Sequence, residues 1–596
     1  MDYMAYVTSP LLVFDQVYGS LEGSNKSDFV TEIQKVLQNH HLKVPLFGNT
    51  SLEQIPDGHL VRIVGMVQDM FNAELYMDSF RLSTNDSTIR SLRYRDFSCL
   101  ENNEDVAVVD VKFSERQSFY IVPVPGESHW VKEIREKENE YTSLITTTSG
   151  HKRHLHESTD DVMIHKKPKC TATETDSNPL KFRKHFPLIE EENNEKKIGA
   201  LLRVYDTVQT QLKINDIVEV YGILEHARLC DALPEDSYEP EEKCNEPLPR
   251  IHAIIVHALA HNNPLVCNNI SMESISKNLN DIQSIRMKLM KILTTLFSGD
   301  EIVAEYILLH LISTRLTTDS PYANHLPALN VYSNHSITTT KPTSNSIDSF
   351  DVDKRLLFTL YNRLHHFLPK LVTHLATVEF TIKSLNDGPC LFPIRDVNKG
   401  CLNPGRLQLP QGTEILVNEI EMDSGQLQQK GLLNFEALSS VAMNQRLLYD
   451  FQFYTQNWDT NLRLLILSVV PSLIKSVLSL PWEPESCELN ENDVHITISE
   501  SEFNDLRKYL TVLSLSNENY SMDIELQERI NQDFVQWRRD KSTYIEADEF
   551  AIMLCLLRFY CLTYGMQSPT LEHWLHIVEL ESKRKSRIVS SKSRTS

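Results

Sequence analysis

The sequence predicts an α+β multidomain protein, with a β-rich first half, a mixed α/β middle and a helical module at the end. Three observations predict it. The 596 residues exceed what one ordinary core organises. β-branched residues alternate in short runs between Leu60 and His257, whereas apolar residues recur at helical spacing from Ile282. Polar, low-hydrophobicity stretches separate these patterns.

On these breaks, residues 1–134 hold a helical segment and the first part of a β domain, and 135–197 a polar linker. Residues 198–262 complete the β domain around an acidic loop, and 263–495 form an α/β region. A helical lid-like module over 496–582 and a basic tail over 583–596 follow.

In LVRIVGMVQ, Leu60 to Gln68, Val61, Ile63 and Val67 share one strand face around Gly65. The following DMFNAELYM supplies aromatic and sulfur side chains to cover a small barrel. QSFYIVPV, Gln117 to Val124, is a strand ending near a Pro125-Gly126 turn, since proline lacks an amide donor. After Glu133 the chain to Lys197 has too few large apolar residues to offset its ordering entropy and is expected to be disordered. LLRVYD after Ala200, Ile217 to Leu224 and Arg250 to His257 supply further β structure. Helices are expected over Ile282 to Leu296 and Ile302 to Thr314, broken at Ser298-Gly299-Asp300, where glycine closes one helix and aspartate opens the next. Short strands fall at Leu329 to Tyr332 and Glu414 to Asn418, with a Ser/Thr/Asn-rich stretch from Ser333 to Ser349 between them. From Phe503 the pattern is helical, and Pro569 restarts a helix through Trp574 to Leu580.

Composition narrows the function. Ten cysteines stand singly with no CxxC pair, so neither a disulfide framework nor a zinc ribbon is indicated, and a reducing compartment fits. The first twenty residues lack a basic stretch followed by an apolar run, so no secretory signal is expected. The apolar run Ile302 to Ile312 is broken by Glu305 and His310 and is shorter than the ~18 residues of a membrane span. A net charge of −22 opposes attachment to a phosphate backbone, so strong direct DNA binding is not expected.

LVRIVGMVQDMFNAELYM, YRD at Tyr94 to Asp96, ERQSFYIVPVPGESHWVKE, INDIVEVYGIL, PRIHAII, AEYILLHLIST and LEHWLHIVELESKRKSR together resemble the MCM-binding protein family. The resemblance implies a divergent MCM subunit: an oligonucleotide-binding (OB) type β-barrel half, then a degenerate AAA-like α/β region with a helical C-terminal lid. It also implies a non-enzymatic nuclear protein that binds MCM helicase subunits in DNA replication, as an assembly, stability or unloading factor, and supports sister chromatid cohesion. The alternative is a DNA- or chromatin-binding OB-fold protein, whose barrel offers a platform for stacking bases.

MCM proteins carry a cysteine zinc ribbon in the barrel; here a polar linker holding only Cys170 takes about that place, so no metal is carried over. A phosphate loop needs GxxxxGK[ST], because closely spaced amides cradle the phosphates and lysine neutralises them. No such run exists in the sequence, and in SNHSITTTKPTSNS, which follows LNVY, Lys341 precedes a proline without a glycine cradle. In EILVNEIE, Asn418 stands where a carboxylate would hold magnesium, leaving Glu419. Neither catalytic residues nor a nucleotide cofactor are expected.

His151, His154 and His156 lie in a linker without supporting ligands and are read as solvated. Ser128 beside His129 lacks an oxyanion-hole motif and is read as a turn. Lys152 and Arg153, followed after a spacer by Lys166, Lys167 and Lys169, match a bipartite nuclear localisation signal for an import receptor. The basic residues of the tail are a rival signal, or a frayed, solvated helix end. Phe71, Tyr76 and Trp130 are partner-interface candidates, with core packing in a small barrel as the competing role.

Overall fold

The computed structural model describes residues 3–17, 26–40, 44–48, 55–81, 90–96, 109–138, 188, 199–205, 211–226, 248–266, 282–315, 325–333, 347–397, 401–485, 498–516, 520–539 and 545–595. They form two compact units with exchanged segments. The first comprises residues 1–124, 133–258 and 398–403; the second, residues 125–132, 259–397 and 404–596.

In the first unit, strand β1 (Leu60–Arg81) is long enough to pair with two neighbours. Leu60 to Met66 pair antiparallel with β5 (Ile217–Glu225), and Met66 to Arg81 with β3 (Val109–Val122). β3 continues to β4 (Ala200–Val204), β4 to β6 (Arg250–Ala258), and β6 back to β5. The five strands therefore close into a ring, with the short β2 (Arg90–Ser91) on the outer part of β1. Closure brings backbones close: a Cβ on Gly65 would lie 2.5 Å from the Ile121 side chain and 2.7 Å from the Val122 carbonyl oxygen, so only glycine fits. Val61, Ile63, Val67, Phe119, Ile121, Val220 and Ile251 fill the interior; each such side chain, once buried, contributes about 1.5–3 kcal/mol.

DMFNAELYM is not a separate cover but the continuation of β1, which runs on as a two-stranded arm with β3. One face of the arm presents Tyr76 to a second core, built with Phe14 and Phe29 of helices α2 (Pro10–Val17) and α3 (Lys26–His40), beside α1 (Tyr3–Thr8). The other face, where Leu75 opposes Glu115 and Met77 opposes Phe113, is open: Leu75 is 72% and Phe113 60% exposed. The last strand of this unit, β10 (Cys401–Asn403), arrives from far along the chain, and Leu402 accepts from Gln68 Nε2 and donates to Asp69, both at 2.9 Å.

Helix α4 (His129–Glu138) extends past the expected start of the linker, and Leu188 is buried. The helix forms because VKEIREKE carries helix-favouring residues with Val131 and Arg135 on its buried side. The other linker residues, 139–187 and 189–197, lie outside the described residues, as does the acidic loop over 227–247.

The second unit centres on five parallel strands in the order β15–β7–β14–β11–β8, namely Leu478–Trp482, Ala328–Ser333, Arg463–Ser468, Glu414–Asn418 and Leu375–Glu379. β11 and β14 are buried at every position, as strands covered on both faces must be. Helices α5 (Ile282–Leu296), α6 (Glu301–Leu311) and α7 (Ile347–Leu371) pack against the sheet; α8 (Ile382–Asp387) and α9 (Gln429–Asn444) pack on each other. Strands β9 (Ile394–Asp396), β12 (Arg446–Asp450) and β13 (Thr455–Asp459) form a smaller sheet. Asp300 caps α6 as the sequence suggests, accepting from the Ile302 and Val303 amides at 3.1 and 3.2 Å.

The C-terminal helices are α10 (Glu500–Leu515), α11 (Ile524–Arg539), α12 (Ala547–Thr563) and α13 (Leu571–Thr595). Tyr509, Leu556, Trp574 and Ile577 share one core with Leu465 and Val331 of the sheet. Helix α13 runs on through the basic stretch to Thr595. Arg584 is bound to Glu581 at 2.8 Å and Arg587 to Asp300 at 2.7 Å.

Candidate functional site

The YRD motif forms a charged node on the barrel unit. Tyr94 adopts a left-handed backbone (φ 65°), which turns the chain just before Asp96. Three guanidinium groups from three strands converge on the Asp96 carboxylate: Arg203 at 2.5 Å, Arg250 at 2.6 Å and Arg116 at 2.9 Å. Arg116 and Arg203 also reach Glu74, at 2.8 and 3.4 Å. Glu225 accepts from the Asp96 amide at 3.3 Å and meets His252 Nε2 at 2.8 Å, while His252 Nδ1 meets the Tyr205 hydroxyl at 2.6 Å. Burial pushes the Tyr205 phenol well above its ordinary range. Burial alone would lower Arg116, but Tyr205, Asp96 and Glu74 outweigh it and raise its pKa.

Asp96, Glu225 and His252 place one ligand atom each within 4.8 Å of one another, a metal-like spacing. The chemistry of the donors does not fit a cation. Asp96 already faces three guanidiniums and His252 is bonded through both ring nitrogens, so a divalent ion would sit against fixed positive charge. The node is an ion-pair and hydrogen-bond network that ties β3, β4, β5 and β6 together.

A second polar site lies at the carboxyl ends of the parallel strands, where ligands bind in open α/β sheets. Asn330 donates to Ser468 Oγ at 2.7 Å and accepts from the Ser472 amide at 3.1 Å. Asn418 donates to Glu379 at 2.7 Å and accepts from the Ile420 amide at 3.2 Å. Glu419 accepts from the Leu473 amide at 2.9 Å and from the Ser472 hydroxyl, which fixes the loop after β14. Burial raises the Glu419 pKa against these two bonds. The segment holding Lys341 lies outside the described residues.

At the opposite ends of the same strands is a buried Glu–His–Arg triad that sequence reading missed. Glu414, the first residue of β11, meets His310 Nε2 at 2.9 Å and Arg463, the first residue of β14, at 3.0 Å. Glu414 and His310 have no exposed side-chain surface. Burial alone would raise the Glu414 pKa, but His310 and Arg463 outweigh it and hold the carboxyl below its usual range. A charged residue opening each of two otherwise apolar strands, EILV and RLLIL, is the signal that points to it.

The predicted interface residues separate. Tyr76 is buried in the barrel unit and donates to Asp78 at 3.0 Å. Phe71 is half-buried against Met66, Tyr120 and Val122. Trp130 does not lie in the barrel: residues 125–132 belong to the second unit, where its indole donates to the Val372 carbonyl at 3.1 Å under the Arg507 guanidinium, 4.3 Å from the ring. Ser128 donates to that same carbonyl at 2.6 Å and is buried while His129 is exposed, so they form no catalytic pair. Lys152, Arg153, Lys166, Lys167, Lys169 and the three linker histidines lie outside the described residues.

Fold and sites define a class: a multidomain α+β protein whose most buried charged groups are committed to one another. The mini-chromosome maintenance replisome factor family model matches residues 33–588, and the chain belongs to that family. The chain is 28% identical to the mouse mini-chromosome maintenance complex-binding protein, over 94% of this chain and 93% of the mouse protein. The chicken protein of the same name is 29% identical over 92% and 91%, and the Arabidopsis thaliana one 28% identical over 92% and 90%. No helix among the described residues is long and apolar enough to cross a membrane.

Proposed function

We propose that this protein binds subunits of the MCM helicase complex and acts as an assembly, stability or unloading factor in DNA replication. The observation that carries this reading is near full-length similarity to proteins named for binding that complex. The five-strand ring fits an OB-type barrel, and the parallel sheet with helices fits a degenerate AAA-like region. A non-catalytic role is supported by the missing glycine-lysine loop and by Asn418 and Glu419, whose polar atoms are bonded to the protein's own edge. Nuclear entry through Lys152, Arg153, Lys166, Lys167 and Lys169, and a contribution to sister chromatid cohesion, complete the reading.

Binding uses folded surfaces, of which the open face of the β1–β3 arm is one, with half-buried Phe71 near its base. Burying such side chains against a partner removes apolar area from water at about 25 cal/mol per Å². The test is titration of the full chain into purified MCM subunits. Wild type binds, and Leu75→Ser with Phe113→Ser weakens binding with an unchanged melting temperature. Absence of wild-type binding to any MCM subunit, or ATP turnover abolished by Glu419→Gln, overturns the reading.

A further inference from the structure

The β12–β13 hairpin carries the most exposed large apolar side chain among the described residues. Its four-residue tip is Phe451-Gln452-Phe453-Tyr454; Phe453 is 85% and Tyr454 59% exposed. Isolated exposed aromatics need no explanation, but this group is organised. The Phe451 and Tyr454 rings stack at 4.9 Å with 14° between their planes. The Phe451 amide donates to the Tyr454 carbonyl at 3.0 Å, the Phe453 amide to the Phe451 carbonyl at 2.8 Å, and the Gln452 amide to Asp450 Oδ1 at 2.7 Å. Gln452 takes a left-handed backbone (φ 65°), a costly conformation for a residue with a Cβ, in order to hold this shape. At the base, Tyr449 is fully buried and packs on Trp458 at 5.8 Å. The hairpin thus displays an aromatic side chain on a tip fixed before any partner arrives, which lowers the ordering cost of binding.

Charge selects the class of partner. Between Arg446 and Asp459 the only cation is Arg446, and it shares Asp459 with Arg315, each at 3.3 Å, which leaves Asp450 as the carboxylate beside the tip. Stacking aromatics without free cations do not hold a phosphate backbone, whose binding rests on lysine and arginine. The same arrangement suits a protein pocket that is apolar inside and basic at its rim, since a central aromatic anchor with a polar rim is the usual seat of interface energy.

We propose that the tip Phe451–Tyr454 is an anchor that inserts Phe453 and Tyr454 into an apolar, basic-rimmed pocket on an MCM helicase subunit; this rests on the MCM-binding reading above. The experiment compares the full chain, wild type and carrying Phe453→Ser with Tyr454→Ser, in titrations against individually purified MCM subunits. The double variant loses about tenfold or more in affinity for one subunit, Phe453→Tyr retains most of it, and both melt like wild type. If wild type binds no subunit, the underlying MCM-binding reading fails. If wild type binds and the double variant binds equally, the hairpin inference fails alone. A concentration-dependent dimer of the free protein that disappears in the double variant would assign the tip to a second copy instead. Single-stranded DNA binding at low salt that disappears with the same substitutions would assign it to nucleic acid, and either result overturns the proposal.

Discussion

The two buried charge clusters answer the same problem in opposite ways. On the barrel unit, Asp96 is shared among three arginines, two of which also reach Glu74, and Arg250 keeps 24% of its side-chain surface in solvent. In the parallel sheet, Glu414 serves one histidine and one arginine with no solvent at all on Glu414 or His310. The first cluster has a second carboxylate and a path to water; the second has only backbone carbonyls to fall back on and no solvent at its carboxylate. Tolerance of a lost charge therefore depends on what the remaining groups can turn to rather than on how many ion pairs the cluster holds.

The largest expected effect follows from the closed cluster. Glu414→Ala leaves Arg463 buried with only carbonyl partners and destabilises the second unit by about 3–5 kcal/mol, read as a shift in its urea unfolding midpoint. Replacing His310, Glu414 and Arg463 together with apolar residues of similar volume restores most of that loss; a triple variant as unstable as Glu414→Ala would break the comparison. On the barrel unit, Asp96→Asn costs less, about 2–3 kcal/mol, because Glu74 retains Arg116 and Arg203 while Arg250 turns to solvent. Equal losses at Asp96 and Glu414 would show that spare partners do not matter.

The pH dependence sharpens the same contrast within the second unit. Burial, helped by Arg315 and Arg558, holds His325 down to about 4. Neither ring nitrogen has a hydrogen-bond partner among the described residues. A histidine depressed in the folded state stabilises above its unfolded value of ~6.5, and that stability is lost as pH falls toward the folded value. Between pH 7 and 5 this removes about 2 kcal/mol, and His325→Leu flattens that part of the profile. Glu414, also depressed, keeps its contribution until pH falls below ~4.3 and toward its own lower value. The two steps separate when unfolding is followed from pH 7 to 3. The smallest effect is at the surface: Phe113→Ser changes stability by less than about 0.5 kcal/mol, and a larger loss would mean the arm's open face is packed in the free protein.

Much of the fold was legible because local pattern and tertiary role agreed. Ile282 to Leu296 and Glu414 to Asn418 are elements with the bounds their periodicity gives, and the Asp300 cap stands where the sequence places it. Helix α7 was hidden behind a Ser/Thr/Asn-rich approach that reads as loop. The strands β14 and β15 were hidden because short apolar runs carry no period of their own. Of the YRD node, Tyr94 to Asp96 stood out as a motif. Its partners Arg203 and Arg250 lie more than a hundred residues away, and only folding joins them. Trp130 was read into the barrel because it follows a barrel strand directly, while its true partners, Val372 and Arg507, are remote. Within the basic stretch, Arg587 likewise has a partner remote in sequence, Asp300.

The exchange of short segments between the units sets an order on the ribosome. Gln68 and Asp69, made early, obtain their buried partner only when Leu402 has been translated, and Trp130 waits for Val372 and Arg507. The N-terminal unit therefore cannot mature behind the usual vectorial front, in which early domains finish before later ones emerge. A nascent chain stalled before residue 398 would leave Gln68 and Asp69 without their Leu402 partner, and no single cut in the gene gives two fragments that both hold a whole unit.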